Sequence, residues 1–264
     1  MMVVSEAMAR RRPLRITYAA IDGGRSYRQQ ALDDQDGRYR LLLATVEALV
    51  GEGVDLLVFP AGYFQVRNER ALANLVRRLR LGLRGSAPDF GLVVGVDRMS
   101  TAYKTEHPKR EHPYFALYRT TAGAIVSMQQ VSVTRQQGAV LDLLDARWGA
   151  RELLLAETEI AFLICGESWS DELLDRVVVS GCRALVVAAH RTVNLHTQAG
   201  GYGRLSWHRR FQALCSEREL PVVLSEHTRS PHRHPYSWPA DISDSLAPDG
   251  VPDGVTLRLA TITT

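Results

Sequence analysis

Residues Ile160–Ile164 form an apolar run that stops at Cys165, and a helix start follows within a few residues. Ser170 is placed to cap that helix, with Asp171 and Glu172 in its first turn. Few folds accommodate this order. A buried strand must carry the thiol to a sheet edge, and a tight turn must then lead into a helix. Such a turn directs backbone N–H groups and the positive end of a helix at the sulfur. That environment lowers a thiol pKa and offers an oxyanion site.

The rest of the chain repeats this grammar. Leu14–Ile21, Val54–Ala61, Phe90–Asp97, Arg183–Ala189 and Pro221–Glu226 read as strands from their apolar runs. Arg38–Gly51, Glu69–Leu83, Asp171–Ser180 and Leu205–Arg218 carry apolar residues at helical spacing. Tyr114–Thr120 and Ile125–Val133 are joined by Thr-Ala-Gly, a hairpin signal. Leu153–Cys165 holds a strand pair or one bent strand, and Trp238–Ser243 and Val255–Ile262 are late strands. Alternation early, hairpins in the middle and strands at the end predict an α/β protein with a mixed sheet. No linker divides the 264 residues, so one domain is expected over 14–264, with 1–13 as a tail.

Composition narrows the function. The net charge is +3, from 32 basic and 29 acidic residues, which is not the signature of a polyanion binder. Nucleic acid is therefore not an expected partner, and Arg77, Arg78, Arg80 and Arg84 read as a solvated helix face. No run is apolar enough to span a membrane. Three scattered cysteines, Cys165, Cys182 and Cys215, do not make a disulfide scaffold, so a reducing cytoplasm is expected. No cofactor and no metal site are expected: His232 and His234 lack a neighbouring Cys or acid at zinc spacing. Gly200–Gly203 reads as a flexible loop. Lysine is confined to Lys104 and Lys109.

Three segments, in order, resemble the nitrilase or carbon–nitrogen hydrolase superfamily. Gly53–Pro60 is similar to the family's "aDlvvfPE" strand end. Tyr114–Val133 is similar to the hairpin that leads to its catalytic lysine. Ile164–Glu167 with Asp171–Val187 is similar to its cysteine segment. The resemblance implies a four-layer αββα sandwich and a Glu–Lys–Cys site. In that site a glutamate is the base, a lysine stabilises the tetrahedral intermediate and a cysteine attacks a nitrile or amide carbon. It also implies pairing of chains through the helix after the cysteine. The apolar Leu173, Leu174, Val177 and Val178 fit a homodimer or larger assembly.

Carried over residue by residue, the glutamate position is Ala61 and the lysine position falls at Val131 or Ser132. A further family glutamate corresponds to Asp142 or Asp145. Cys165 and Glu167 match. Loss of a general base removes about 10²–10⁴-fold of rate, and loss of an oxyanion donor about 10²–10³-fold. A degenerate, non-catalytic site is thus the first reading, in a scaffold, oligomer subunit or ligand-binding protein with a small-molecule crevice near Cys165. A cysteine-dependent C–N hydrolase or acyl transferase with a rebuilt base is the alternative, and an arginine-rich binding module is a third. For the rebuilt base, His190 follows a strand that should neighbour the cysteine strand, and Glu226 could orient a histidine. The plain readings are a strand-end His190 bonded to backbone, a loop His227, a Glu167 that anchors the turn, and a Cys165 that is merely a small apolar residue.

Overall fold

In β1 (Leu14–Asp22), side chains alternate between two cores. Leu14, Ile16, Tyr18 and Ala20 enter one buried cluster, and Ala19 and Ile21 enter the other. This is the period of two that a strand buried on both faces requires. The computed structural model describes residues 12–22, 34–98, 114–131, 151–155, 157–191, 204–228 and 237–263.

The helix α1 (Gln35–Leu49) starts earlier than the apolar pattern suggested, because the Asp34 carboxylate caps it by accepting from Gly37 N–H. The strand β2 (Leu56–Val58) is shorter than expected. The chain leaves the ladder at Pro60, loops out, and returns as β3 (Phe64–Val66), a strand the sequence did not reveal. The helix α2 (Glu69–Ser86), capped by Asn68, buries Leu75, Leu79 and Leu83. Each such burial stabilises by roughly 1.5–3 kcal/mol. Its arginines lie on the solvent side, and Arg78 pairs with Asp36 at 2.7 Å. Then come β4 (Gly91–Arg98), β5 (Tyr114–Arg119) and β6 (Ile125–Gln129). Leu153–Cys165 resolves as a strand pair, β7 (Glu152–Leu155) and β8 (Thr158–Ile164). The helix α3 (Asp171–Val179), β9 (Leu185–Arg191), α4 (Arg204–Arg218) and β10 (Val222–Thr228) follow. The late segment Trp238–Ser243 is not one strand. It divides into β11 (Ser237–Trp238), a 3-10 turn and β12 (Ser243–Leu246), which pairs with β13 (Val255–Ile262).

These thirteen strands form one mixed sheet whose main path runs β6-β5-β4-β2-β1-β10-β9-β8-β7. The sheet curls on itself. Met128 on β6 and Leu153 and Leu155 on β7, from opposite ends of that path, lie in a single buried cluster. The two-layer sandwich thus comes from one folded sheet, with α1 and α2 over one layer and α3 and α4 over the other. The layers part at β1. Its one edge pairs with β13 from Leu14 to Ile21, and its other edge is shared in succession by β2 (Ile16–Tyr18) and β10 (Ala20–Asp22). The Ser225 hydroxyl sits in this fork, 2.7 Å from the Ala19 carbonyl and 3.1 Å from that of Val58. Parallel strands that diverge leave a crevice at their carboxyl ends, where α/β proteins place their chemistry.

Arg12, expected in a tail, reaches back to the Asp55 carboxylate with both guanidinium nitrogens. Leu173, Leu174 and Val177 of α3 are buried within the chain itself, and Val179 is 86% exposed. No described helix is long and apolar enough to cross a membrane. Lys104, Lys109, Ser132, Asp142, Asp145, His232, His234 and Gly200–Gly203 lie outside the described residues.

Candidate active site

Five parallel strands deliver polar or small residues to the crevice: Pro60–Gly62 after β2, Asp97 on β4, Cys165 after β8, His190 on β9 and His227 on β10. Cys165 opens a 3-10 turn, Cys165–Trp169, with φ +41°. A left-handed non-glycine residue costs about 1–3 kcal/mol and persists only where its surroundings hold it. Glu167 does the holding. Its carboxylate accepts from Ile164 N–H (2.8 Å), Val131 N–H (2.6 Å) and Arg151 Nη2 (2.6 Å). The Ser168 hydroxyl closes the turn on the Cys165 carbonyl at 2.7 Å. Burial pushes the Glu167 carboxyl upward from its usual range, against the pull of Arg151 and the two N–H groups. Every contact it makes is a donor, which is the environment of a carboxylate. Glu167 is therefore an anchor, as the plain reading held. Glu167→Ala should destabilise the fold by ~3–5 kcal/mol, because it leaves Arg151 charged, buried and without its partner. Denaturant midpoints measure this; an unchanged midpoint would refute the anchoring role.

The looped segment between β2 and β3 lies directly over Gly95. A Cβ there would stand 2.3 Å from both Ala61 Cα and the Pro60 carbonyl oxygen. Gly62, at φ +65°, turns the loop toward the site. A Cβ on Gly62 would stand 2.8 Å from Asp97 Oδ2 and 2.9 Å from His190 Cδ2. Only glycine fits both the dihedral and the space. The Ala61 carbonyl accepts from His227 Nε2 at 3.1 Å.

Behind the cysteine stands a buried histidine–carboxylate pair. His190 Nε2 and Asp97 Oδ1 are 2.7 Å apart. Alternation along β4 places Asp97 on the inward face with Val93 and Gly95, away from Leu92, Val94 and Val96. His190 also lies close enough to Cys165 for its charge and polar hydrogens to act on the thiol. Burial opposes ionisation of the Cys165 thiol, and the charge and hydrogen bonds of His190 outweigh it, so the thiol lies below its ordinary value; Asp97 acts in the opposite sense. Burial likewise pulls His190 down, but Asp97 and then Cys165 push it up to about 10. The two titrate as a pair, and between their values they are thiolate and imidazolium. By contrast, burial raises the Cys182 and Cys215 thiols.

The structure brings together two of the residues singled out from the sequence, Cys165 and His190. His190 bonds the Asp97 side-chain carboxylate and lies beside the Cys165 thiol. The carboxylate hydrogen-bonded to its Nε2 is that of Asp97, and Glu226 lies fully buried on β10 opposite Ala20. His227 is a buried strand residue, because β10 runs on to Thr228. Ala61 and Val131, the positions that the resemblance assigns to the family's glutamate and lysine, both border the site. Ala61 precedes Gly62, and Val131 binds Glu167. Asp97 was missed. Its only signal was an acid closing the apolar strand Phe90–Asp97, two residues after Gly95. Among the described residues, no group of three or more His, Cys, Asp or Glu side chains could hold a metal ion.

The fold defined by this sheet and its four helices is that of the nitrilase superfamily. Nit3 of Saccharomyces cerevisiae, a member of branch 10 of that superfamily, has a TM-score of 0.59 at 13% identity, over 96% of this chain and 90% of that one. An amidase from Nesterenkonia sp. has a TM-score of 0.58 at 15% identity, over 96% and 92%. The NitFhit protein of C. elegans has a TM-score of 0.61 at 13% identity, over 96% of this chain and 61% of that one. No protein-family model matches the sequence, and no curated protein matches it.

Proposed function

We propose that this chain is a cysteine-dependent C–N hydrolase or acyl transferase of the nitrilase superfamily, with a Cys165–His190–Asp97 triad in place of the family's glutamate and lysine. The buried Asp97–His190 pair, 2.7 Å apart and close enough to Cys165 to lower its thiol, carries this reading. It favours the rebuilt-base alternative over a non-catalytic scaffold, since a carboxylate buried against an imidazole beside a thiol is the arrangement that activates a nucleophile. The Nesterenkonia amidase supports the choice of nucleophile. It has been solved with the acetamide moiety of fluoroacetamide added covalently at its active site cysteine, and as a complex with butyramide.

In this mechanism the Cys165 thiolate attacks the carbonyl carbon of an amide. The C–N bond breaks as His190 passes its proton to the departing amine, which leaves a thioester on Cys165 and a neutral imidazole. Water, or an acceptor amine, then attacks the thioester while His190 takes its proton. The acid or new amide is released, and the thiolate and imidazolium are restored. Asp97 holds the imidazole with its proton-bearing Nε2 inward, so the other ring nitrogen serves Cys165. The test is to trap the thioester. Mass spectrometry after incubation with simple amides, N-carbamoyl compounds and activated acyl esters should find an acyl group on the Cys165 peptide, absent in Cys165→Ala. If no donor leaves an adduct or is turned over, the non-catalytic reading stands.

A further inference from the structure

We infer that Gln65 is a positioning residue for the triad, holding the Asp97 carboxylate in the rotamer that orients His190. This inference rests on the proposed triad and adds a residue that no local pattern marks. The side chain is 3% exposed, yet it is an amide on a strand whose neighbours Phe64 and Val66 pack in the apolar core. The register of β3 on β4 sets Gln65 opposite Asp97. From there its Nε2 donates to Asp97 Oδ2 at 3.1 Å and to the Gly62 carbonyl at 3.2 Å. Both partners are pure acceptors, so the amide orientation is unambiguous. Its Oε1 is left buried with no hydrogen-bond partner among the described residues. An unmet buried acceptor is destabilising, and packing alone would be better served by leucine or methionine. What the amide provides is two N–H donors, one for each half of the site. One occupies Oδ2 of Asp97, leaving Oδ1 for His190. The other ties down the Gly62 turn that lies against both residues. A neutral donor does this without cancelling the carboxylate charge, which an arginine or lysine would do. The anchoring continues outward, because Gln35 Nε2 on α1 donates to the Gln65 carbonyl at 2.9 Å.

Among the described residues, the ionisable groups around this cluster include Asp97, His190 and Cys165 themselves, Glu167 with Arg151 beneath the turn, His227 on the Ala61 carbonyl, Glu226 on β10, and Arg38, which donates to the Tyr63 carbonyl at 2.8 Å. Gln65 carries no charge, so its replacement by leucine alters the pH profile only through Asp97.

The test compares alkylation of Cys165 by iodoacetamide from pH 4 to 10 in the wild type, Gln65→Leu, Gln65→Glu and His190→Ala. Circular dichroism and denaturant midpoints confirm that each variant is folded. Gln65→Leu should shift the midpoint upward by about one pH unit, a tenfold change in the ionisation constant, and Gln65→Glu should do the same by placing a second carboxyl on Asp97. Gln65→His, which keeps an N–H donor, should restore part of the shift. A folded Gln65→Leu with the wild-type profile overturns the inference while leaving the triad in place. If wild type and His190→Ala already share one profile, it is the triad reading that fails. Should Gln65→Leu not fold, the profile of Gln65→Glu decides in the same way.

Discussion

Replacing His190 by alanine is expected to lower turnover of any acyl substrate by ~10²–10⁴-fold, the usual contribution of a general acid–base group. The loss should fall on kcat, because His190 moves the proton in both halves of the reaction and touches the leaving group only as the C–N bond breaks. Asp97→Asn should fall in the same range. The amide fits the same space but can present its N–H to His190 Nε2, which forces the other tautomer and leaves a proton facing Cys165. Double replacement of His190 and Asp97 should cost little more than either alone, since the pair acts as one unit. Steady-state kinetics of the three variants check this. Additive losses would mean that Asp97 does not act through His190.

The second large effect is on the thiol itself. Cys165 should alkylate with a pH midpoint well below the ordinary thiol value of ~8.5, while Cys182 and Cys215 stay at or above it. The sign follows from the pair. A lowered Cys165 value and a raised His190 value favour thiolate with imidazolium between the two, and protonation of the sulfur ends this on the acid side. At pH 7 the rate alone discriminates poorly, because a low-pKa thiolate is also a weaker nucleophile. At pH 5 an ordinary thiol is less than about 0.1% ionised, so the advantage of Cys165 should exceed about tenfold there. In His190→Ala the midpoint should return to that of a buried thiol, at or above ~8.5. Competitive labelling with peptide mapping resolves the three cysteines. An unshifted wild-type midpoint would remove the ion pair from the mechanism.

Most of the fold was legible because burial leaves local marks. The apolar run before Cys165, the Ser170 cap and the Thr-Ala-Gly turn each specify an element without reference to the rest of the chain. Errors came where a partner set the boundary. The strand β2 ends early because Pro60 has no N–H and Gly95 has room for a crossing backbone. The strand β3 exists because β4 offers it an edge from Val96 to Arg98. A strand of three residues has no periodicity to read.

The site was half legible. Cys165 announces itself by the strand and helix around it, and Glu167 by its place in the turn. Asp97 and His190 are 93 residues apart in sequence, and nothing local marks either as the partner of the other. Ala61 and Val131, at the positions the resemblance assigns to a glutamate and a lysine, carry no sign in the sequence of a base supplied by another strand.

By itself, the chain's pattern of apolar runs, caps and turns determined an α/β protein with a mixed sheet and a thiol at a strand's carboxyl end, since each of those features is a short-range consequence of side-chain size, hydrogen bonding and backbone freedom. Which ionisable groups meet that thiol was decided only in three dimensions. The curl of one sheet and the fork at β1 bring β4, β8 and β9 to a common crevice, and alternation along β4 then aims Asp97 inward rather than at the helices. Proximity of that kind depends on strand order and register, which are set by long-range pairing and leave no trace in any single segment.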